Sequence, residues 1–287
     1  MDRIPLPAPP APARSGVGDT PHWTLDWFDF SRIPIETVHD NDDLFYLLVS
    51  ASFVESGSHT YTRNLVAHFD AYPQIADWLQ HQWEPEELQH GRALKKYVQT
   101  VWPEFDWQTA YDAFFADYSR LCTVEELEDD RALELVARCV VETGTATYYQ
   151  TLRDLTAEPV LNELAERIRV DEVQHYKHFY HYFRQLNAER DLSRARIFGA
   201  LKRRLNELRV SDSDIALRYV WAFRHAPGEA DEVPFEQVCQ RLYRRVGALL
   251  PMEQAVKMLL KPLALPHRME HVIERPLARI ARKVMAA

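Results

Sequence analysis

The amino-acid sequence predicts an all-α fold, a bundle of four long helices followed by shorter C-terminal helices. Three observations predict it. Glycine is scarce, 8 among 287 residues, which disfavours a β fold with many tight corners. Apolar residues recur at helical spacing over four stretches of about 25 residues, each roughly 37 Å long as a helix. Prolines mark the ends of these stretches and crowd the region beyond residue 191, where helices must be short.

The elements follow in order. Residues 1–22 contain the run PLPAPPAPARSGVG and read as a flexible Pro/Ala-rich arm. Trp23, Trp27, Phe28 and Phe30 are expected to pack back on the body as a strap. The first long helix begins after the capping cluster Asp40-Asn41-Asp42 and runs to about Phe69, with Leu44, Leu47, Leu48, Ala51, Val54, Ser58 and Thr62 on one face. The second starts at Pro73, a good first-turn residue, and ends before Trp102-Pro103. Pro85 lies inside it and predicts a kink. A shorter helix covers about Trp107 to Leu121. The third long helix leaves the acidic stretch Glu125 to Asp130 and continues to about Thr156. The fourth spans about Pro159 to Asn187, with Leu161, Leu164, Ile168, Phe179, Phe183 and Leu186 on one stripe. Residues 23–190 thus form the bundle, and 191–287 a helical extension packed on it.

Composition narrows the function classes. Hydrophobic residues make up 46%, enough for a sizeable core, and charged residues 27%. No stretch approaches the roughly 20 apolar residues of a membrane span, and no secretory leader is visible. Three separated cysteines, Cys122, Cys139 and Cys239, suit neither a disulfide framework nor a thiolate metal site. A cytoplasmic or other reducing compartment is expected. The net charge of −9 divides into −16 over residues 1–190 and +7 over 191–287. The acidic part suits cation binding, and the basic tail reads either as a solvated surface or as a dock for an acidic partner. Nucleic acid is not an expected ligand.

The chemistry lies in a repeated pattern. Glu-x-x-His occurs as Glu87-Leu-Gln-His90 and again as Glu172-Val-Gln-His175. Residues three apart share a helix face, so each pair can grip one metal. Glu172 and His175 interrupt the buried stripe of the fourth helix, where an unpartnered charge is costly. Each pair follows a helix with a lone inward glutamate: Glu55 lies 32 residues before Glu87, and Glu142 lies 30 before Glu172. The near-equal spacing suggests two copies of one helical hairpin. Two glutamates plus two Glu-x-x-His motifs are the ligand set of ferritin-like di-iron carboxylate proteins. Six N/O ligands suit two iron ions, with Mn a candidate at one position, better than structural zinc. The competing reading is a set of metal-free interhelical salt bridges.

Neighbouring residues carry further expectations. Glu86 and Asp171, each preceding a ligand glutamate, are placed to hold a histidine across the bundle or to lie at the surface. Thr145, one turn past Glu142, either relays protons to bound oxygen or bonds its own helix carbonyl. Tyr149, Tyr176, Tyr180, Trp78 and Trp83 read as packing, and His59, His81, His178 and His181 as ordinary side chains. His267, Glu270, His271 and Glu274 read as a solvated polar face, with a second metal face as the alternative.

At these positions the chain resembles the soluble acyl-[acyl-carrier-protein] desaturases, the plastid-type stearoyl desaturases and their bacterial relatives. The resemblance rests on Glu55 followed by Thr60-Tyr61, on Trp83-Glu-Pro-Glu86-Glu87-Leu-Gln-His90-Gly91 and Leu94-Lys-Lys-Tyr97, on Glu142-Thr-Gly-Thr145, and on Asp171-Glu172-Val-Gln-His175. Leu265-Pro-His-Arg268 and Glu274-Arg275 are similar to the family's closing segment. The chain departs from it in the link between the second and third helices and at Pro85. The resemblance implies a ferritin-like bundle in which reduced iron activates O2, hydrogen is abstracted from an unactivated C–H bond, and an acyl chain gains a double bond. It implies an acyl carrier protein or other acyl thioester as substrate carrier, a ferredoxin-like electron donor, a role in fatty acid metabolism, and an apolar channel along the bundle. Arg203, Arg204, Arg241, Arg244 and Arg245 are candidates to receive the acidic carrier. A homodimer is the expected assembly.

The alternatives are another di-iron oxygenase, a hydroxylase or N-oxygenase, and a ferritin-like iron-binding oxidase. Ile168 stands where N-oxygenases of this type usually carry an extra histidine, which weighs against that branch.

Overall fold

The computed structural model describes residues 23–207, 212–224 and 233–286, and among them every regular element is helical. The Pro/Ala-rich arm at 1–22 and the side chains of His267, Arg268, Glu270 and His271 lie outside what is described. A single turn, α1 (Ile35–Val38), precedes the first long stretch. Asn41 then caps α2 (Asp42–Ser56), its side-chain oxygen accepting the Leu44 N–H at 3.2 Å.

The first long helix is divided at Gly57, two residues past Glu55, into α2 and α3 (Ser58–His68). Glycine is a poor helix former, and here its bare Cα is also needed. A Cβ at Gly57 would lie 3.0 Å from the Tyr118 ring. The second stretch is helical throughout but changes pitch. It comprises α4 (Pro73–Trp78), a π turn over Leu79–Trp83, and α5 (Glu84–Val101). Pro85 has no N–H to give the His81 carbonyl, and its ring would crowd that oxygen. The wider π turn immediately before it relieves both problems, so the kink expected at Pro85 takes this form.

The shorter helix α6 (Trp107–Leu121) leads to the second pair, α7 (Arg131–Leu155) and α8 (Pro159–Arg190). Asp130 caps α7 through the Ala132 N–H at 3.0 Å. Glu158 caps α8 through the Val160 and Leu161 N–H groups at 2.9 and 2.7 Å, and also accepts the Tyr97 hydroxyl at 2.9 Å. α8 ends at Asp191, which takes a left-handed conformation (φ 45°).

Side-chain meetings fix the directions. The Phe45 and Trp102 rings lie 5.3 Å apart, and Ser56 faces Gly91, so α2 and α5 run antiparallel. Arg153 meets Glu166 and Thr145 meets Glu172, so α7 and α8 do too. The two pairs lie side by side. The Tyr148 hydroxyl donates to the Leu47 carbonyl at 2.9 Å, joining α7 to α2.

Among the described residues, two large apolar cores result, beside a small cluster of Met252, Val256 and Ala278 in the C-terminal helices. One gathers Leu48, Phe53, Leu94, Tyr97, Tyr149, Leu161, Leu164 and Ile168. The other gathers Leu65, Phe69, Leu79, Trp83, Leu135, Cys139, Phe179 and Phe183. Each large side chain buried here contributes about 1.5–3 kcal/mol. On every long stretch the step from one core to the other crosses the predicted ligands: Glu55, then Glu87 and His90, then Glu142, then Glu172 and His175.

The C-terminal helices wrap this body. α9 (Arg194–Glu207) packs on α7, and α10 (Asp212–Arg224) on α2 and α6. α11 (Phe235–Leu249) and α12 (Met252–Leu260) also reach α7, and α13 (His267–Ala286) lies on α11 and α12. Four of the five arginines expected to face a partner are ion-paired within the chain, three of them at its surface. Arg203 pairs with Glu128 at 2.7 Å, and buried Arg204 sits 3.6 Å from Glu134. Arg241 and Arg245 both clamp Asp43 at 2.7 Å. The five arginines therefore do not form one free basic patch.

Candidate metal centre

All six predicted ligands meet in one layer inside the helices. Their residues are at most 8% exposed. Donor atoms of Glu55, Glu87, His90 and Glu172 lie within 4.8 Å of one another, and so do those of Glu87, Glu142, Glu172 and His175. Glu87 and Glu172 belong to both groups, so two cations held by these groups would share them.

Each histidine is oriented by a carboxylate from the opposite helix. His90, on α5, directs Nε2 at Asp171 on α8, 3.1 Å away. His175, on α8, directs Nε2 at Glu86 on α5, 2.6 Å away. With the proton on Nε2, each Nδ1 keeps a lone pair for the interior. His90 Nδ1 faces Glu172 at 3.2 Å and Glu55 at 3.7 Å. His175 Nδ1 faces Glu87 at 3.0 Å, Glu142 at 3.6 Å and Glu172 at 3.9 Å.

The inward atoms fit a pair of cations. Both Nδ1 atoms and one oxygen each of Glu87, Glu142 and Glu172 are buried without a hydrogen-bond partner. Unpartnered buried polar atoms are rare and costly, and five in one layer is what a metal cluster would satisfy. Four buried carboxylates also repel one another unless cations or protons intervene. Burial and the charges of Glu172 and Glu55 push the Glu87 carboxyl well up. Burial, aided by Glu172 and opposed by His175, pushes Glu142 up to about 8. Burial opposes charge on both histidines, yet bonds to the surrounding carboxylates outweigh it and raise them. Glu172 goes the other way: burial would raise it, but two histidines hold it below the usual carboxylate range.

Thr145 donates to Glu172 Oε2 at 2.6 Å, while its own helix carbonyls lie at 3.3 and 3.4 Å. The hydroxyl proton therefore points at the cluster rather than at the helix. The Tyr149 hydroxyl, two turns past Glu142, donates to Glu55 Oε1. Sequence reading treats Tyr149 as packing, although a spacing of seven residues already places it on the ligand face.

The aromatic strap also joins the layer. Trp23 is buried, and its indole N–H donates to Asp171 Oδ2 at 2.7 Å. Its carbonyl accepts from Gln89 at 2.7 Å, and its ring stacks on His90 at 5.9 Å. Trp78 and Trp83 pack edge-on to His175, 6.4 and 6.3 Å away. His59 stacks on Phe115 and His178 on Trp78, outside the cluster. Two open surface concavities lie elsewhere, around Asp43, Arg241 and Arg245 and around Glu128 and Arg203. Among the described residues, no helix is long and apolar enough to cross a membrane.

No protein-family model matches the chain, and no curated protein sequence matches it significantly.

Proposed function

We propose that this chain is a ferritin-like di-iron oxidoreductase that uses O2 to oxidise an unactivated C–H bond, with desaturation of an acyl chain on acyl carrier protein as its reaction. One observation carries the reading: two buried donor groups, sharing Glu87 and Glu172, contain atoms that no hydrogen bond satisfies. The antiparallel helix pairs supply the frame in which ferritin-like centres are built. An all-N/O donor set favours iron, or manganese at one position, over structural zinc.

Glu55, Glu87, His90 and Glu172 would hold one ion, and Glu87, Glu142, Glu172 and His175 the other. When bound, reduced iron supplies the electrons and the open coordination that dioxygen activation needs. The protein's own side chains do the rest. Asp171 and Glu86 hold His90 and His175 in the tautomer that turns Nδ1 inward. Thr145 keeps a hydroxyl proton at Glu172 Oε2, inside the buried donor layer, where it could be supplied to the site. The apolar layers on either side, Phe53 and Leu94 on one and Trp83 and Phe179 on the other, keep water from the donor layer.

A ferredoxin-like donor, an acidic acyl carrier and a homodimeric assembly belong to the same reading. The test is a product assay. The reconstituted protein is supplied with a ferredoxin-type donor, O2 and a mixture of acyl carrier protein thioesters, and the acyl chains are weighed. Loss of two mass units supports desaturation. A gain of sixteen makes the protein a hydroxylase, and unchanged acyl chains with full iron occupancy overturn the acyl substrate.

A further inference from the structure

Glu55 and Glu142 occupy matching positions, one from each helix pair, yet the structure treats them differently. Glu55 Oε1 accepts the hydroxyl of Tyr149, a fully buried side chain on α7. That leaves Oε2 turned toward His90. Glu142 has no such anchor: its Oε1 is buried without a hydrogen-bond partner, and its Oε2 lies 3.6 Å from His175 Nδ1. The shared Glu172 is also lopsided. Oε1 faces His90 Nδ1 at 3.2 Å and accepts no hydroxyl. Oε2, on the His175 side, already accepts the Thr145 proton at 2.6 Å.

These differences act in one direction. A carboxylate pinned through one oxygen presents the other at a fixed angle and needs no reordering when a cation arrives. An unpinned carboxylate must be ordered by the cation itself. An oxygen that already accepts a hydroxyl proton offers one lone pair fewer. We infer that Tyr149, by pinning Glu55, makes the metal position of Glu55 and His90 the tighter of the two, so that it fills first. The inference rests on the two-metal reading of the cluster and adds a ranking within it. Tyr149 is here a positioning residue, acting through Glu55. It also confines Glu55 to one-oxygen binding and leaves Glu142 as the carboxylate able to change its mode.

The alternative is that Tyr149 only packs and satisfies a buried acid, with no effect on metal order. Crystals of the metal-stripped chain are soaked anaerobically in graded Mn(II), and anomalous scattering reads occupancy at each position. In the native protein the His90 position is expected to fill at about tenfold lower Mn(II) than the His175 position. Tyr149→Phe keeps the ring and removes the hydroxyl, and is expected to close that gap by weakening the His90 position. In solution, the first equivalent of Mn(II) should give an uncoupled EPR signal in the native protein and a mixture with coupled pairs in Tyr149→Phe. Simultaneous filling in the native protein, or His175 first, overturns the ranking. A Tyr149→Phe protein with the native order and spacing overturns the role of Tyr149. Absence of Mn(II) from both positions in a folded native chain overturns the two-metal reading instead.

Discussion

Removing the metal and then raising the pH is expected to destabilise the protein, and the size of the effect follows from the cluster. Glu142 is almost fully buried, and burial, with Glu172 nearby, carries its carboxyl from the usual 4.5 to about 8. Ionising it at pH 8 therefore costs roughly 5 kcal/mol relative to the unfolded chain. Glu87 is raised by burial and its acidic neighbours, and both histidines are raised by their carboxylate partners in spite of burial. Between pH 4.5 and about 8 the folded, metal-free chain thus binds more protons than the unfolded one, so its stability falls as pH rises. Glu172, held low by the histidines against burial, titrates below 4.5 and does not oppose this trend. At about 2 °C per kcal/mol for a chain of this size, the melting temperature should drop by on the order of 10 °C between pH 5 and 8. Bound cations take the place of the protons, so the loaded protein should hold or gain stability over the same window. The assay is a set of circular-dichroism melts on chelator-stripped and reconstituted protein, beside Glu142→Gln. That variant should flatten the stripped curve and raise its pH 8 end. A stripped native protein whose melting temperature is flat or rising with pH, and indistinguishable from Glu142→Gln, refutes the reasoning.

Other perturbations separate orientation, packing and proton supply. Glu86→Gln and Asp171→Asn each replace the charged acceptor of a histidine N–H with a neutral amide oxygen and should cost about 10-fold in Fe(II) affinity, read by competition with a chromophoric chelator. Gly91→Ala should destabilise by about 1–3 kcal/mol in denaturant titration, because its Cβ would sit 2.7 Å from Ser56 Oγ and 2.8 Å from Ser56 N. Gly144→Ala is the contrast: its Cβ meets nothing within 4 Å on an exposed helical position, so about 0.5–1 kcal/mol of added stability is expected. Thr145→Val should lower turnover by on the order of 100-fold and raise the O2 consumed per product, measured with an oxygen electrode beside the product assay.

Much of this architecture is legible in the sequence because the helical period survives along whole stretches. Leu161, Leu164, Ile168 and Phe179 mark the buried face of α8, and Glu172 and His175 betray themselves by interrupting it. Spacing then brings in Glu55 and Glu142. What sequence periodicity hides depends on partners far along the chain. Gly57 divides the first helix, and the Tyr118 ring that packs close to its Cα comes from far along the chain. Trp23 reads as an aromatic strap, but its tether to Asp171, 148 residues away, is a product of the folded state. The arginines of α9 and α11 look like an open basic surface until Asp43 and Glu128 are brought against them. Tyr149 reads as packing because nothing in the spacing fixes which way the Glu55 carboxylate turns.

The most direct test is metal analysis of the purified chain after anaerobic reconstitution with Fe(II), with iron counted per chain and Mössbauer spectra recorded after oxidation. Close to two iron ions per chain with magnetically coupled ferric spectra are expected, with loss of coupling in Glu172→Ala, which removes a shared donor. Less than one iron per chain in a folded protein, or uncoupled iron unaffected by Glu172→Ala, contradicts the two-metal reading.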